Sequence, residues 1–275
     1  MSQEKPRADI ESLRQMLRKI ERKAAEDPPV APPPVPLEEA MAGEVVETAR
    51  GALYLVEEDA CAFLDPEDDF GDVAGLFFAG GRTNRARLQS LDPELARIAD
   101  LPPERVLFLD IETAGFHGTG LFLVGLLSYC GGVFRTRQLL ARDYAEEAAV
   151  LEHLREFYGR SDALLTFNGR AFDLPFISDR AIVHRVDLHS PEIDVDLLHV
   201  SRRLWKNYLP NCRLVTLEQI VCGRRRTGDL PSHLIPRAYH DFVESGDARL
   251  MADVIRHNAY DLVTMAHLVA KIANG

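Results

Sequence analysis

No run of about 18 consecutive apolar residues occurs in the 275-residue chain, so no membrane-spanning helix and no membrane partner are expected. The first stretch, "MSQEKPRADIESLRQ", is charged throughout and does not read as a secretory leader. Cysteine is scarce: Cys61, Cys130, Cys212 and Cys222 show neither CxxC spacing nor a zinc-ligand pattern. That leaves reduced thiols and an expected cytoplasmic location. No internal repeat is visible. Positive charge is also short, with 32 Lys and Arg against 43 Asp and Glu and a net charge of −11, which at first sight argues against a nucleic-acid partner.

The deficit is uneven. Residues 1–100 hold 12 Lys/Arg against 21 Asp/Glu, whereas residues 101–275 hold 20 against 22. If four of the latter acids hold metal ions, the rest of that region is slightly basic. Its positives cluster in "SRRLWK" (201–206) and "GRRR" (223–226), either solvated faces or phosphate contacts.

Residues 1–26 carry Ile10, Leu13, Leu17, Ile20 and Ala24 at helical spacing, two heptads at most. Such a stripe docks on its own protein or on a protein partner. Residues 27–43 begin "DPPVAPPPVP" and read as an extended linker. Residues 44–100 form a small β-containing segment with a hairpin around "GALYLVEE" and an acidic loop, "DPEDDFGD". From 101 to 275 the pattern is that of one larger α/β domain. "RVLFLD", "LFLVGLLSYC" and "GVFRTRQLL" read as a three-strand meander turned by "CGG", and "ALLTFN" as a further strand. A helix is expected from Asp143, with Glu146 completing a capping box, and helices dominate beyond about 172. The implied fold is a mixed sheet flanked by helices, with a small N-terminal extension.

Three stretches carry candidate chemistry. In "LFLDIETAGF", Asp110 and Glu112 share one strand face while Ile111 packs on the other. A buried carboxylate costs several kcal/mol unless a positive partner offsets it. In "LLTFNGRAFDLPFI", "NG" turns the chain and Asp173 opens a helix, with Asn168 placed to hydrogen-bond a substrate or hold the turn, and Phe167 and Phe172 to offer stacking surfaces. In "RHNAYDL", His257 and Asp261 lie four apart on one helix face. Each alone has a plain structural explanation: a solvated strand end, a helix cap, an ordinary His–Asp pair. Asp196 in "IDVDLLHVSRRLW" reads as a helix cap or as a contact behind a metal site.

Taken together and in this order, the motifs resemble those of the DEDD, or DnaQ-like, exonucleases of the ribonuclease-H-like superfamily, and more narrowly the YprB-type family. The resemblance covers residues 104–272. It implies a ribonuclease-H-like fold and a 3′→5′ exonuclease on single-stranded DNA or RNA. Asp110, Glu112, Asp173 and Asp261 would hold two Mg²⁺ or Mn²⁺ ions, and His257 would orient or deprotonate the attacking water. Thr113, Asn168, Phe172, Arg224, Arg225 and Arg226 are the expected substrate contacts. One departure stands out. The superfamily spaces this histidine H-x4-D or uses Y-x3-D, whereas "HNAYD" puts a histidine at the tyrosine spacing. One residue less turns the side chain by roughly 100°, so water positioning is the favoured role for His257. Other readings of the same site are a structure-specific endonuclease and a nucleic-acid-binding module without turnover.

Overall fold

Seven strands hydrogen-bond into one sheet: β1 (Glu44–Thr48), β2 (Gly51–Asp59), β3 (Val106–Thr113), β4 (Leu121–Cys130), β5 (Val133–Leu140), β6 (Ala163–Thr166) and β7 (Ile193–Asp196). Their order is β1-β2-β5-β4-β3-β6-β7. The structure, a computed structural model, describes residues 16, 32–64, 70, 85–115 and 120–274. Val35–Gly275 make one compact unit. The expected helix over 1–26, apart from Met16, and the first part of the Pro-rich linker lie outside the described residues.

β3, β4 and β5 form the expected antiparallel meander, and β6 and β7 continue the sheet in parallel. Gly131 and Gly132 make the β4–β5 turn at φ +61° and +94°, a left-handed pair that side chains resist. The 44–59 hairpin is not a separate segment: β2 pairs with β5 from Tyr54↔Leu140 to Asp59↔Arg135 and extends the sheet. Within the expected linker, Leu37–Ala40 form one helical turn with Leu37 buried. β7 is a strand the sequence reading missed, four residues long with two acids among them.

Helices α1 (Arg85–Leu91), α2 (Pro93–Ile98), α3 (Glu147–Arg160), α4 (Asp173–His184), α5 (Leu197–Trp205), α6 (Ile235–Ser245) and α7 (Arg249–Asn274) cover the two faces. Strand alternation divides the core. Leu107, Leu109 and Ile111 join α3 and α6 in one apolar cluster, while Val106 and Phe108 join α2, α5 and the C-terminal half of α7 in the other. Asp110 and Glu112 continue the Val106–Phe108 face and so emerge beneath α7. That helix is itself divided. Met251, Val254 and Ile255 belong to the first cluster, Leu262 onward to the second, and the polar residues His257, Asn258 and Asp261 fall between. The polar break in a buried helix and the acidic end of β3 therefore meet.

Candidate active site

Asp110 accepts a hydrogen bond from Asn258 Nδ2 at 2.9 Å. Burial pushes its carboxyl well above the ordinary range, and the charges of Asp261, Asp173 and Glu112 push the same way. Glu112 is raised by burial first and then by Asp261, Asp173 and Asp229. Asp173 opens α4, and its Oδ1 accepts the Ile111 N–H at 3.2 Å, stitching the helix to β3. Burial lifts it to about 7 despite the backbone N–H groups it accepts. Three segments distant in sequence thus bring four carboxylates together, close enough for the charges of Asp173 and Asp261 to act on both Asp110 and Glu112.

Close approach of α7 depends on Gly125, which pairs with Asp110 across β3–β4. A Cβ there would lie 1.8 Å from Asn258 Oδ1. Gly125→Ala is expected to cost about 2–3 kcal/mol in urea unfolding through overpacking. Adding Asn258→Ala should return part of that loss, because the two sites share one contact. Full additivity would show that Asn258 is not what Gly125 accommodates.

The turn before α4 is held by Asp196, which is almost fully buried. Its Oδ1 caps α5 at Leu198 N (3.0 Å) and also accepts Asn168 N (2.8 Å); its Oδ2 accepts Arg170 N (3.3 Å). The helix-cap reading is correct, and the second task fixes Asn168 at φ +66°, left-handed backbone that asparagine tolerates. At Gly169 a Cβ would lie 2.3 Å from Thr166 Oγ1, so the "NG" pair has no room for a side chain at its second position. Phe172 is 40% exposed, with its ring 5.8 Å from that of Phe176. Thr113 Oγ1 donates to Gly115 O at 3.0 Å, so its hydroxyl is engaged in its own turn. Asp110, Asp261, Phe167 and Asn168 line a common cleft of about 540 Å³.

The arginine run is placed differently from the expectation. Arg224 is buried and donates to Phe63 O at 2.8 Å. Arg226, only 6% exposed at the side chain, donates to Glu218 Oε2 (2.6 Å) and to Asp261 Oδ1 (2.5 Å), and lies 5.5 Å over the Tyr260 ring. Neither is a solvent-facing phosphate contact. The π-helical turn Glu218–Cys222 and Gly223, at φ +75°, fold the run inward against the fully buried Glu218. Arg225 alone of the three is exposed. Arg226→Ala, which leaves Glu218 buried without its closest cation, is expected to cost about 3–5 kcal/mol. Arg225→Ala should stay within about 0.5 kcal/mol of wild type, and chemical denaturation compares the two.

His257 is 7% exposed and faces the carboxylates. Its Nδ1 lies 2.8 Å from Asp229 Oδ1, and its Nε2 lies 3.4 Å from Ser232 Oγ and 3.6 Å from Asp261 Oδ2. Tyr260 packs edge-on against Phe63, as its helix face implies. Asn258, Asp229 and Gly125 are site-building residues that the sequence reading missed. Only Asn258 was signalled, by standing between His257 and Asp261 in a polar break.

The donor set suits hard divalent cations, being entirely carboxylate oxygen. Asp110, Glu112 and Asp173 have no cationic partner among the described residues, and burial with neighbouring negative charge makes all three weaker acids, the condition a bound cation would reverse. Among the described residues no three such side chains are gathered into a ready ion cage. Asp261 differs, because Arg226 already neutralises one of its oxygens.

The chain is 32% identical over 178 residues to the uncharacterized protein YprB of Bacillus subtilis (strain 168), a match covering 59% of this chain and 40% of that protein. It therefore spans well under half the length of the curated relative it matches. The family B DNA polymerase of Pyrobaculum calidifontis superposes with a TM-score of 0.49 and 18% identity, over 61% of this chain and 24% of that one. The RNase_H superfamily model matches residues 107–273, the stretch that carries all four carboxylates from β3 to α7, and the chain belongs to the RNase_H superfamily.

Proposed function

We propose that this chain is a divalent-metal-dependent nuclease of the DEDD type, hydrolysing phosphodiester bonds from the 3′ ends of single strands. The observation that carries the reading is the gathering of acids at the end of β3, where burial and the charges of Asp261 and Asp173 raise the carboxyls of both Asp110 and Glu112. Superfamily membership over the same residues supports a nuclease-type activity. These four side chains would hold two Mg²⁺ or Mn²⁺ ions, which when bound supply Lewis-acid stabilisation of the charge developing in a phosphodiester displacement.

The remaining work belongs to the chain itself. Asp229 accepts the Nδ1–H of His257 and leaves Nε2 beside Asp261 to orient the attacking water and take its proton. Phe167 lines the cleft and Phe172 is half-exposed near Asp173, so both rings are placed for base stacking, worth about 1–3 kcal/mol per base. Asn168, fixed by Asp196, presents its amide to the same cleft.

Single-stranded DNA and RNA labelled at either end, incubated with Mg²⁺, Mn²⁺ or EDTA, test the reading. Stepwise loss of nucleotides from the 3′ end, abolished by EDTA, is the expected result. Internal products would make the protein an endonuclease on this site. No cleavage under any condition would leave only a binding module.

A further inference from the structure

The cleft that contains Asp110 and Asp261 extends along α5 and the following loop, where its wall changes sign. Leu198 and Arg202, four apart on α5, both line it, as do Asn211, Cys212 and Arg213. Arg202 and Arg213 are exposed, and neither has a side-chain ion pair or hydrogen bond among the described residues. Their neighbours are otherwise engaged. Arg203 binds Leu91 O and stands 3.7 Å from Asp92, and Arg170 binds Asp194 at 2.8 Å. In a chain of net charge −11, two unpaired guanidinium groups in the carboxylate cleft are conspicuous.

Their placement is also fixed. Leu209 N and Tyr208 N bond back to Trp205 O at 3.0 and 2.9 Å, tying the loop to the end of α5. Asn211 Oδ1 accepts Arg213 N at 3.0 Å and Thr216 Oγ1 at 2.8 Å, setting the backbone of Arg213 at the start of the next helical turn. The guanidinium groups are thus carried on anchored backbone, which lowers the ordering cost of meeting a ligand. A planar fork of N–H donors matches phosphate oxygens.

We infer that Arg202 and Arg213 form a phosphate-binding wall that grips the sugar–phosphate backbone of a single nucleic-acid strand whose end lies at the four carboxylates. This rests on the nuclease reading for its orientation and transfers the phosphate role expected of Arg224 and Arg226 to these two residues. Strand phosphates are repelled by the acidic end of the cleft, so cations farther along it supply the holding force, without base preference.

The test is fluorescence anisotropy of short oligothymidylate and oligouridylate against the full chain, across a salt series, with Ca²⁺ in place of Mg²⁺. Arg202→Gln/Arg213→Gln should make the slope of log affinity against log salt shallower by about 1.4, two contacts at roughly 0.7 each on a single strand. Arg155→Gln/Arg160→Gln makes the same charge change on α3, against the other apolar cluster, and should leave the slope unchanged. Oligonucleotide should also slow maleimide labelling of Cys212, which lines the cleft, relative to exposed Cys130. A loss confined to one sugar type identifies the strand as DNA or RNA and supports the proposal. An unchanged slope, an equal loss in the α3 variant, or unprotected Cys212 would overturn it. If the slope falls as expected yet no Mg²⁺ or Mn²⁺ condition yields hydrolysis, the strand path stands and the nuclease reading falls.

Discussion

Asp173→Asn is expected to abolish hydrolysis and to make the metal-free protein more stable at pH 8. The two effects share one cause. Asp173 is buried among like charges and its carboxyl is lifted to about 7, so between its unfolded value near 4 and pH 7 the folded protein holds a proton that the unfolded chain releases. Folding is then favoured below pH 4 and loses that advantage as pH rises through 7. Asp110 and Glu112, raised in the same direction, steepen the decline. Asparagine keeps an oxygen for the Ile111 N–H and removes the charge. At ~1.4 kcal/mol for each tenfold change in acidity, with the repulsion shared among neighbours, the relief is on the order of 2 kcal/mol, or about 4–8 °C for a unit of this size. Thermal melts at pH 5 and pH 8, with EDTA and with Mn²⁺, read it directly. Wild-type protein should melt lower at pH 8 than at pH 5 in EDTA, and Mn²⁺ should raise the pH 8 value most, because ions bind deprotonated ligands. The variant should show a flatter pH dependence, a smaller Mn²⁺ response and no cleavage. Asp110→Asn should behave alike. Cleavage at the wild-type rate by either variant would sink the metal assignment.

β3 was legible because "RVLFLDIET" is a short apolar run ending in D-x-E, and strand geometry then assigned Ile111 to one apolar cluster and the two acids to the opposite face. Where side chains do local work instead of following a period, sequence reading slipped. Asp143 and Glu146 looked like a capping box, but Asp143 Oδ1 closes a turn on Ala145 N at 2.8 Å, Glu146 takes Arg142 N at 2.8 Å, and α3 begins only at Glu147. β7 escaped because a four-residue strand with acids at alternate positions has no apolar signature of its own; β6 makes it a strand. The arginine run misled for a tertiary reason. Glu218 is buried, and nothing local in "GRRR" announces that two of its three guanidinium groups fold inward to meet buried partners.

The site was legible as a set of acids and opaque as a mechanism, and Asp229 shows why. It lies 28 positions from His257 in a loop with no motif, yet its Oδ1 is 2.8 Å from His257 Nδ1. Accepting that N–H selects the tautomer in which Nε2 carries the lone pair beside Asp261. Asp229→Asn can present an N–H to the same ring nitrogen and so select the wrong tautomer, without vacating the space. A loss of about 10²–10⁴ in kcat is expected, close to that of His257→Ala, with little change in Mn²⁺ affinity because the four carboxylates proposed as ligands are intact. Combining Asp229→Asn with His257→Ala should add almost nothing, since residues acting as one unit are not additive. His257→Tyr separates the roles. If His257 only positions water, as the tyrosine-type spacing favours, a phenol at this helix position retains substantial activity and Asp229→Asn becomes nearly silent in that background. If Nε2 takes the proton, the tyrosine variant is as slow as the alanine one, because it has no ring nitrogen for Asp229 to polarise. The contact at Nδ1 favours the second outcome over the spacing argument: water positioning alone needs no carboxylate held 2.8 Å behind the ring. Wild-type turnover by Asp229→Asn would remove Asp229 as a positioning residue.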